Sequence, residues 1–441
     1  MSVLERTEKP PFREALLYWC TLGWISFGGT AAHIALMHDA LVERKKWISN
    51  SSFLHALSHC MILPGPEAQQ LAIYIGWKLH GKKGGLVAGT LFVLPSMFVI
   101  LALSLIYVQF GNLPWISAMF NGLKPAVIAL IILAFYRVAQ RALHGALPWT
   151  IAVAAFTGMF FLHVSLPLIM LAVVILGVAL GAMRPSLLHS PSEPGIESEA
   201  ADDLTDGELP NAQSRLVRPL VKLTGIALLL WLAPLPFFVF SGDFSFWKTL
   251  VLLFTKTAFV TVGGSYTVIP YVAQVAVSKL HWLSEVQMMD GFALAETTPG
   301  PLIIVVAFVG FMAAYNHFHG SLWMGTLGLL ATSFYTFLPC FLFVFAGAPL
   351  VERTSGKPIV KGVLGLITAV VVGAMLELTL FLGKGVLFPA GLALPNLNVI
   401  SLLWVIGSIV LIKRFGLNIA YLILLSIAFG ALRYQVRLHL R

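Results

Sequence analysis

Three uncommon patterns in this chain occur twice, each at the same separation. Gly28-Gly29 returns as Gly263-Gly264, Trp47 as Trp282, and Pro64-Gly65-Pro66 as Pro299-Gly300-Pro301, always 235 positions on (263 − 28, 282 − 47, 299 − 64). Internal repetition on this scale must be read before anything else, because it forces two like folding units. The match continues across small gaps: Gly89-Thr90 with Gly325-Thr326, Leu94-Pro95 with Leu338-Pro339, Gly122 near Gly362. The copies run over 12–183 and 246–433. Between them, 184–219 carries seven of the nineteen acidic residues, from Glu193 to Glu208, among Pro, Ser and Gly. That composition belongs to a solvated linker. A single unpaired apolar helix, 220–241, follows it.

Each copy is built for lipid. Only 11% of residues are charged and 58% are hydrophobic, with mean hydropathy +0.89, where a soluble domain carries about 25% charged residues. Runs such as 85–110 and 221–240 have the roughly 20 residues that cross a hydrocarbon core. The expected fold class is therefore all-α, a polytopic membrane protein. Met1 to Arg13 is polar and lacks the short apolar core of a cleavable signal peptide. The net charge of +9 reads as loop bias in a membrane protein, and no nucleic-acid partner is implied. Cys20, Cys60 and Cys340 sit in separate apolar runs as small hydrophobes, with no metal or disulfide spacing.

Basic residues mark cytoplasmic loops, and here the two copies complement each other. In the first, Arg44-Lys45-Lys46, Lys78 to Lys83 and Arg137 to Arg141 are basic, whereas the counterpart 316–319 has no Lys or Arg. Conversely, 111–114 and the turn at His163 have none, while their partners hold Arg353, Lys357 and Lys361, and Lys413-Arg414. Two inverted repeats give this pattern, the helix 220–241 supplying the extra crossing. The linker is then cytoplasmic, and Lys279, Arg433, Arg437 and Arg441 stand as exceptions. With both flanks of 12–43 and 50–80 on one side, each segment must enter and return. The legs are about 13–16 residues, or roughly 20–24 Å at 1.5 Å per residue, too short for a core of about 30 Å. They read as broken or re-entrant helical hairpins, split at the Gly-Gly pairs and the Pro-Gly-Pro turns, since proline lacks the amide that continues a helix. Trp47 and Trp282 read as interface residues.

Paired helix breaks in inverted repeats point to a transport site. The helices opening after Pro66 and Pro301 present unpaired amides and a positive dipole end, which suit an oxyanion. Pro-Gly-Pro is also simply a tight turn between helices. The candidate substrate-binding set is Gly28, Gly29, Pro64, Gly65, Pro66, Gln69, Lys124, Lys256, Gly263, Gly264, Thr297, Thr298, Pro299, Gly300 and Pro301. Lys124 and Lys256 enter because charge inside an apolar run is costly, although either can instead reach an interface. Glu67 and Glu296, whose repeat partners are Leu302 and Met61, and His33 are the candidate proton-coupling residues, because a carboxyl in a low-dielectric site binds protons more readily. A structural role is open for each.

The stretches SFGGTAAHIALMHDALVERKKW, LPGPEAQQLAIYIGW and GGLVAGTLFVLP in the first copy, with KTAFVTVGGSYTVIPYVAQ and GFALAETTPGPLIIVVAFVGF in the second, resemble the chromate ion transporters in their long, two-domain form. Nearly the whole chain is covered. Thr30 stands where a proline commonly follows the Gly-Gly pair. The resemblance implies secondary active export of chromate across the cell (inner) membrane, driven by the proton motive force and conferring chromate resistance. Chromate and protons would be the partners, with sulfate as a related dianion, the lipid bilayer around the chain, and a homodimer as an allowed assembly. A sulfate or other oxyanion carrier and a passive anion channel remain the alternatives. No cofactor is implied. No nucleophile with its base, metal cluster or nucleotide-binding loop appears, so an enzyme or an ATP-driven pump is not expected.

Overall fold

The computed structural model describes residues 10–27, 29–111, 113–183, 213–261, 268–347, 358–389, 391 and 393–439, and these contain helices and no strand. Gly28, Gly263, Gly264, most of the linker and the basic residues Arg353 and Lys357 lie outside the described residues. The first copy contains α1 (Phe12–Ile25), α2 (Gly29–His38), α3 (Asn50–Ile62), α4 (Glu67–Phe110), α5 (Pro114–Ala142), α6 (Ala146–Phe160) and α7 (Leu166–Met183). Next come α8 (Gln213–Leu232) and α9 (Leu235–Phe240). The second copy contains α10 (Phe244–Val260), α11 (Val268–Ala273), α12 (Glu285–Thr297), α13 (Val305–His317), α14 (Leu322–Leu342), α15 (Pro358–Leu387), α16 (Val399–Phe415) and α17 (Ile419–His439). Among the described residues 7 helices are long and apolar enough to cross a membrane. The protein is a multi-pass membrane protein.

The copies match down to their helix ends. Ser49 accepts the Ser52 amide at the start of α3, and Ser284, 235 residues on, accepts the Gln287 amide at the start of α12. Each second helix closes in a π turn, Asp39–Arg44 or Gln274–Lys279. A left-handed residue follows each, Lys46 at φ 51° and His281 at φ 49°. The legs are short, as expected: α1 has 14 residues and α3 has 13, about 20 Å each. Helix α4 reverses at His80 and Gly81, the latter at φ 63°. It thus forms a hairpin of 67–79 and 82–110, matched by α13 and α14. Both hairpins are joined through glycine. A methyl group on Gly76 would lie 2.6 Å from the Gly84 carbonyl oxygen, and one on Gly310 equally 2.6 Å from that of Gly328, so only glycine allows this approach.

The long helices then exchange partners. Helix α5 packs on α16 and α17 of the other copy, and α15 packs on α6 and α7. Gly122 meets Gly430 in the first exchange, and Gly177 meets Val363 in the second. Reciprocal contact of this kind is the mark of a two-fold relation, here a pseudo-two-fold within one chain.

One expectation is refined and one is corrected. The unpaired stretch 221–240 is long and apolar enough to cross a membrane, but it breaks inside: α8 stops at Leu232 and α9 starts at Leu235, because Pro234 has no amide to extend the helix. Its Trp231 is clamped to the second copy, Nε1 donating to Thr255 Oγ1 at 2.9 Å and its carbonyl accepting from Tyr335 OH at 3.0 Å. Trp47 and Trp282 are buried rather than interfacial. Aromatic partners enclose them, Tyr18 for Trp47 and Phe246 for Trp282.

Candidate substrate site

Both Pro-Gly-Pro turns are buried among helix ends, and each is tied to the opposite copy. The Gly65 amide donates to the Thr261 carbonyl at 2.6 Å, and the Gly300 amide donates to the Ser26 carbonyl at 2.6 Å. Ser26 and Thr261 close α1 and α10 and are themselves 235 residues apart. Gly65 and Gly300 adopt φ 126° and 96°, a region that strongly favours glycine. Ser96 lies against Gly300 and Cys340 against Gly65. These two follow the repeated Leu-Pro pair, so this contact also obeys the pseudo-two-fold. Non-helical backbone at membrane depth is tolerated only when enclosed by protein, and each turn is enclosed by helices of both copies.

Unpaired polar groups collect around this crossing. No side chain caps the amides that open α4 after Pro66. Gln69 and Gln70 are buried. Gln70 Nε2 holds the Pro64 carbonyl at 2.5 Å, while the Oε1 atoms of both glutamines and the Ser96 hydroxyl have no partner. Glu296 is 6% exposed with Oε1 unpartnered. Glu67 is half-buried at the first position of α4. His33 is fully buried, its Nε2 3.1 Å from the Ser26 carbonyl. A carbonyl can only accept, so Nε2 carries the proton and Nδ1 is left bare. The Ser26 carbonyl thus receives both His33 and the Gly300 amide. Val268 stands at the matching position of the second copy, so this wiring exists once.

Other expected residues fall elsewhere. Thr297 and Thr298 donate their hydroxyl protons to the carbonyls of Leu294 and Ala295, at 2.7 and 2.6 Å, and so offer only lone pairs. Gly29 opens α2 at φ 79° and is half-buried. Lys256 lies away from the turns, on the exposed face of α10 with Leu252 and Phe259, one helical turn apart, while Phe254, Thr257 and Ala258 face inward. Such a lysine lays its stem along apolar surface and sends its ammonium toward water. Lys124 is nearly buried but already paired, with Nζ 3.0 Å from Asp290 Oδ1.

The family model described as "Chromate transporter" matches residues 13–181 and 248–431, one match in each copy. The chain belongs to the chromate transporter family. Similar proteins include the chromate transport protein of Cupriavidus metallidurans, 29% identical over 89% of this chain and 87% of its own length. A probable chromate transport protein of Synechococcus elongatus is 27% identical over 88% and 89%. The chromate transport protein of Pseudomonas aeruginosa is 30% identical over 76% and 72%. No solved structure matches the chain.

Within this chromate transporter chain, sequence reasoning missed three features. Asp290 was the first: it is 4% exposed, pairs with Lys124, and accepts Tyr107 OH at 3.0 Å. Ser26 and Thr261 were the second, and Ser96 the third. A small residue after each Leu-Pro was the available signal for Ser96, whereas Ser26 and Thr261 act through carbonyls that any residue carries.

Proposed function

We propose that this protein is a secondary transporter that exports chromate across the cell (inner) membrane, driven by the proton motive force, and so confers chromate resistance. The observation that carries the reading is the crossed pair of hydrogen bonds from Gly65 to Thr261 and from Gly300 to Ser26. It brings two helix breaks of a duplicated fold together, as in transporters that alternate access around a fixed central site.

In this reading the dianion sits where the uncapped start of α4, Gln69, Gln70 and Ser96 meet the second turn. Amides at a helix start and a neutral hydroxyl supply donors without a buried cation. Chromate and sulfate share shape and charge, so sulfate is the expected competitor. Glu296, buried and with a bare carboxyl oxygen, carries the proton, with Glu67 and His33 beside the turns. The opposed loop charges support inverted copies, with 111–114 and 387–398 on the outer side. Rocking of one copy against the other then breaks one crossed bond in each half-cycle.

Chromate uptake into everted membrane vesicles, with and without a protonophore and with sulfate as competitor, tests this. The expected result is concentrative uptake abolished by the protonophore and inhibited by sulfate. Flux that only runs down the chromate gradient, indifferent to the protonophore, leaves an anion channel instead.

A further inference from the structure

Beside Lys124 lies a cleft of about 460 Å³ between α5 of the first copy and α12, α15, α16 and α17 of the second. Its polar lining is Asn121, Lys124, Asn398, Ser401, Arg433 and Tyr434, and among the described residues that line it none is acidic. Lys124 Nζ meets Asp290 Oδ1 at 3.0 Å and Asn121 Oδ1 at 3.2 Å. Asp290 is the more deeply buried of the pair, its side chain 6% exposed against 13% for that of Lys124. The ammonium therefore faces the cleft with the carboxylate behind it. Asn121 uses its oxygen on Lys124, and Asn398 uses its oxygen to cap Ser401 at the start of α16. Each keeps its NH₂ as a donor. The wall thus combines two cations, two amide donors and two hydroxyls.

We propose that this cleft is a second oxyanion site, present on one face of the protein, where Lys124, still paired with Asp290 and Asn121, turns its third N–H to an arriving tetrahedral dianion. Size agrees: at about 30 Å³ per water, the cleft holds an oxyanion with much of its hydration shell, so capture requires little desolvation. The site is one-sided because its cations are. At the pseudo-symmetric contact between α7 and α15, Gly177 meets Val363 and Leu366, and none of the three is charged. Lys124 lies in the first half of α5 and Arg433 in the last turns of α17, both toward the face assigned above to the outside. An anion held there is poised to leave the protein or to be taken back. The substrate class rests on the chromate reading; the cleft itself does not.

Equilibrium binding of radiolabelled sulfate to the purified full chain tests the proposal, alongside chromate flux in vesicles. Arg433→Gln is expected to weaken sulfate binding about 10–100-fold, the size of one lost charge-assisted contact. Asn398→Ala should weaken it less, and Asp290→Asn, which removes the opposing charge behind Lys124, should tighten it. Gly300→Ala, which obstructs the central crossing, should leave cleft binding intact. Failure of the wild-type chain to bind sulfate, or unchanged binding in both Arg433→Gln and Asn398→Ala, overturns the proposal. If Arg433→Gln does not elute as a single folded species, Asn121→Ala takes its place with the same expected direction. Loss of binding in these variants without any wild-type chromate flux supports the cleft and removes the transport reading. Unchanged binding with intact flux does the reverse.

Discussion

The amide of Gly65 and the carbonyl of Thr261 are 2.6 Å apart, and the pseudo-two-fold repeats this bond between Gly300 and Ser26. Each copy thus finishes the other's turn, and damage to one turn reaches both. A methyl group on Gly300 would fall on the Ser96 hydroxyl, and one on Gly65 would lie 2.6 Å from Gln70 Nε2 and 3.1 Å from Cys340 Sγ. Forcing an L residue into this backbone region adds about 1–3 kcal/mol. Gly300→Ala is expected to lose chromate flux and to melt earlier in detergent. Adding Ser96→Ala removes the obstructing hydroxyl but not the φ of 96°, so it should recover part of the melting loss. Wild-type flux in Gly300→Ala would take the crossed turns out of the mechanism.

The helix breaks were legible in the sequence because they are backbone events: glycine and proline mark them whatever surrounds them. What the breaks touch was not legible. Their partners are the carbonyls of Ser26 and Thr261, and a carbonyl leaves no trace in residue identity. Charges misled for a related reason. Lys256 and Lys124 look alike in an apolar run, and the side of the helix decides between them. Lys256 shares the outward face with Leu252 and Phe259, a periodicity that could have been read. Lys124 is turned inward by Asp290, a partner 166 positions away (290 − 124). Asp290 itself sits near Glu285 and Gln287, and beside them its burial has no local signature.

The Lys124–Asp290 pair joins the copies with both charges almost out of solvent, and Tyr107 OH adds a bond to the same carboxylate. Removing one member leaves a buried charge without its counterion, at a cost of about 3–5 kcal/mol. Removing both costs far less, because no charge is stranded. Asp290→Asn and Lys124→Gln should each lower the melting temperature of the purified protein strongly. The double variant should lie well above the sum of the two, with a coupling of about 0.5–3 kcal/mol. Strict additivity would mean that the two side chains do not interact in solution.

Asp243 caps α10 beyond the candidate span that ends at Phe240, accepting the amides of Ser245 and Phe246, and its other oxygen lies 3.0 Å from His317 Nε2 at the end of α13. Its carboxyl is held below the ordinary aspartate range, first by the Phe246 amide and, against the opposing effect of desolvation, further by His317 and the Ser245 amide. A lowered value in the folded state means that the stabilisation is complete above the unfolded-state value and disappears as pH falls through the folded one. Protease resistance of the α9–α10 connection should therefore hold from neutral pH down to the usual aspartate range and drop only below it. Asp243→Asn retains an oxygen for the amides but loses the charge, so its resistance should be lower at neutral pH and indifferent to acidification. A wild-type profile that fell with acidification well above the aspartate range would assign the dependence to His317 instead.

Glu296 and Glu67 occupy unequal places, and the inequality orders their expected roles. Glu67 opens α4, where the helix dipole favours a fixed negative charge, and it is half-buried. Glu296 sits near the end of α12, away from any such support, 6% exposed and with Oε1 bare. A carboxyl in that position is the one to be neutral when the site is closed and to shed its proton when the site opens. Glu296→Gln mimics the protonated form and strands no partner of Oε1, so the variant should fold normally. It is expected to exchange chromate for chromate but to lose proton-driven accumulation, the ratio that a site-to-site coupling of about 5–150-fold sustains. Glu67→Gln should change apparent affinity more than coupling. Both effects are read in one experiment, by imposing a pH jump on everted vesicles loaded with or without chromate. Full pH-driven accumulation in Glu296→Gln would move the proton to another group, and His33, joined through the Ser26 carbonyl to the Gly300 turn, would be the next to test.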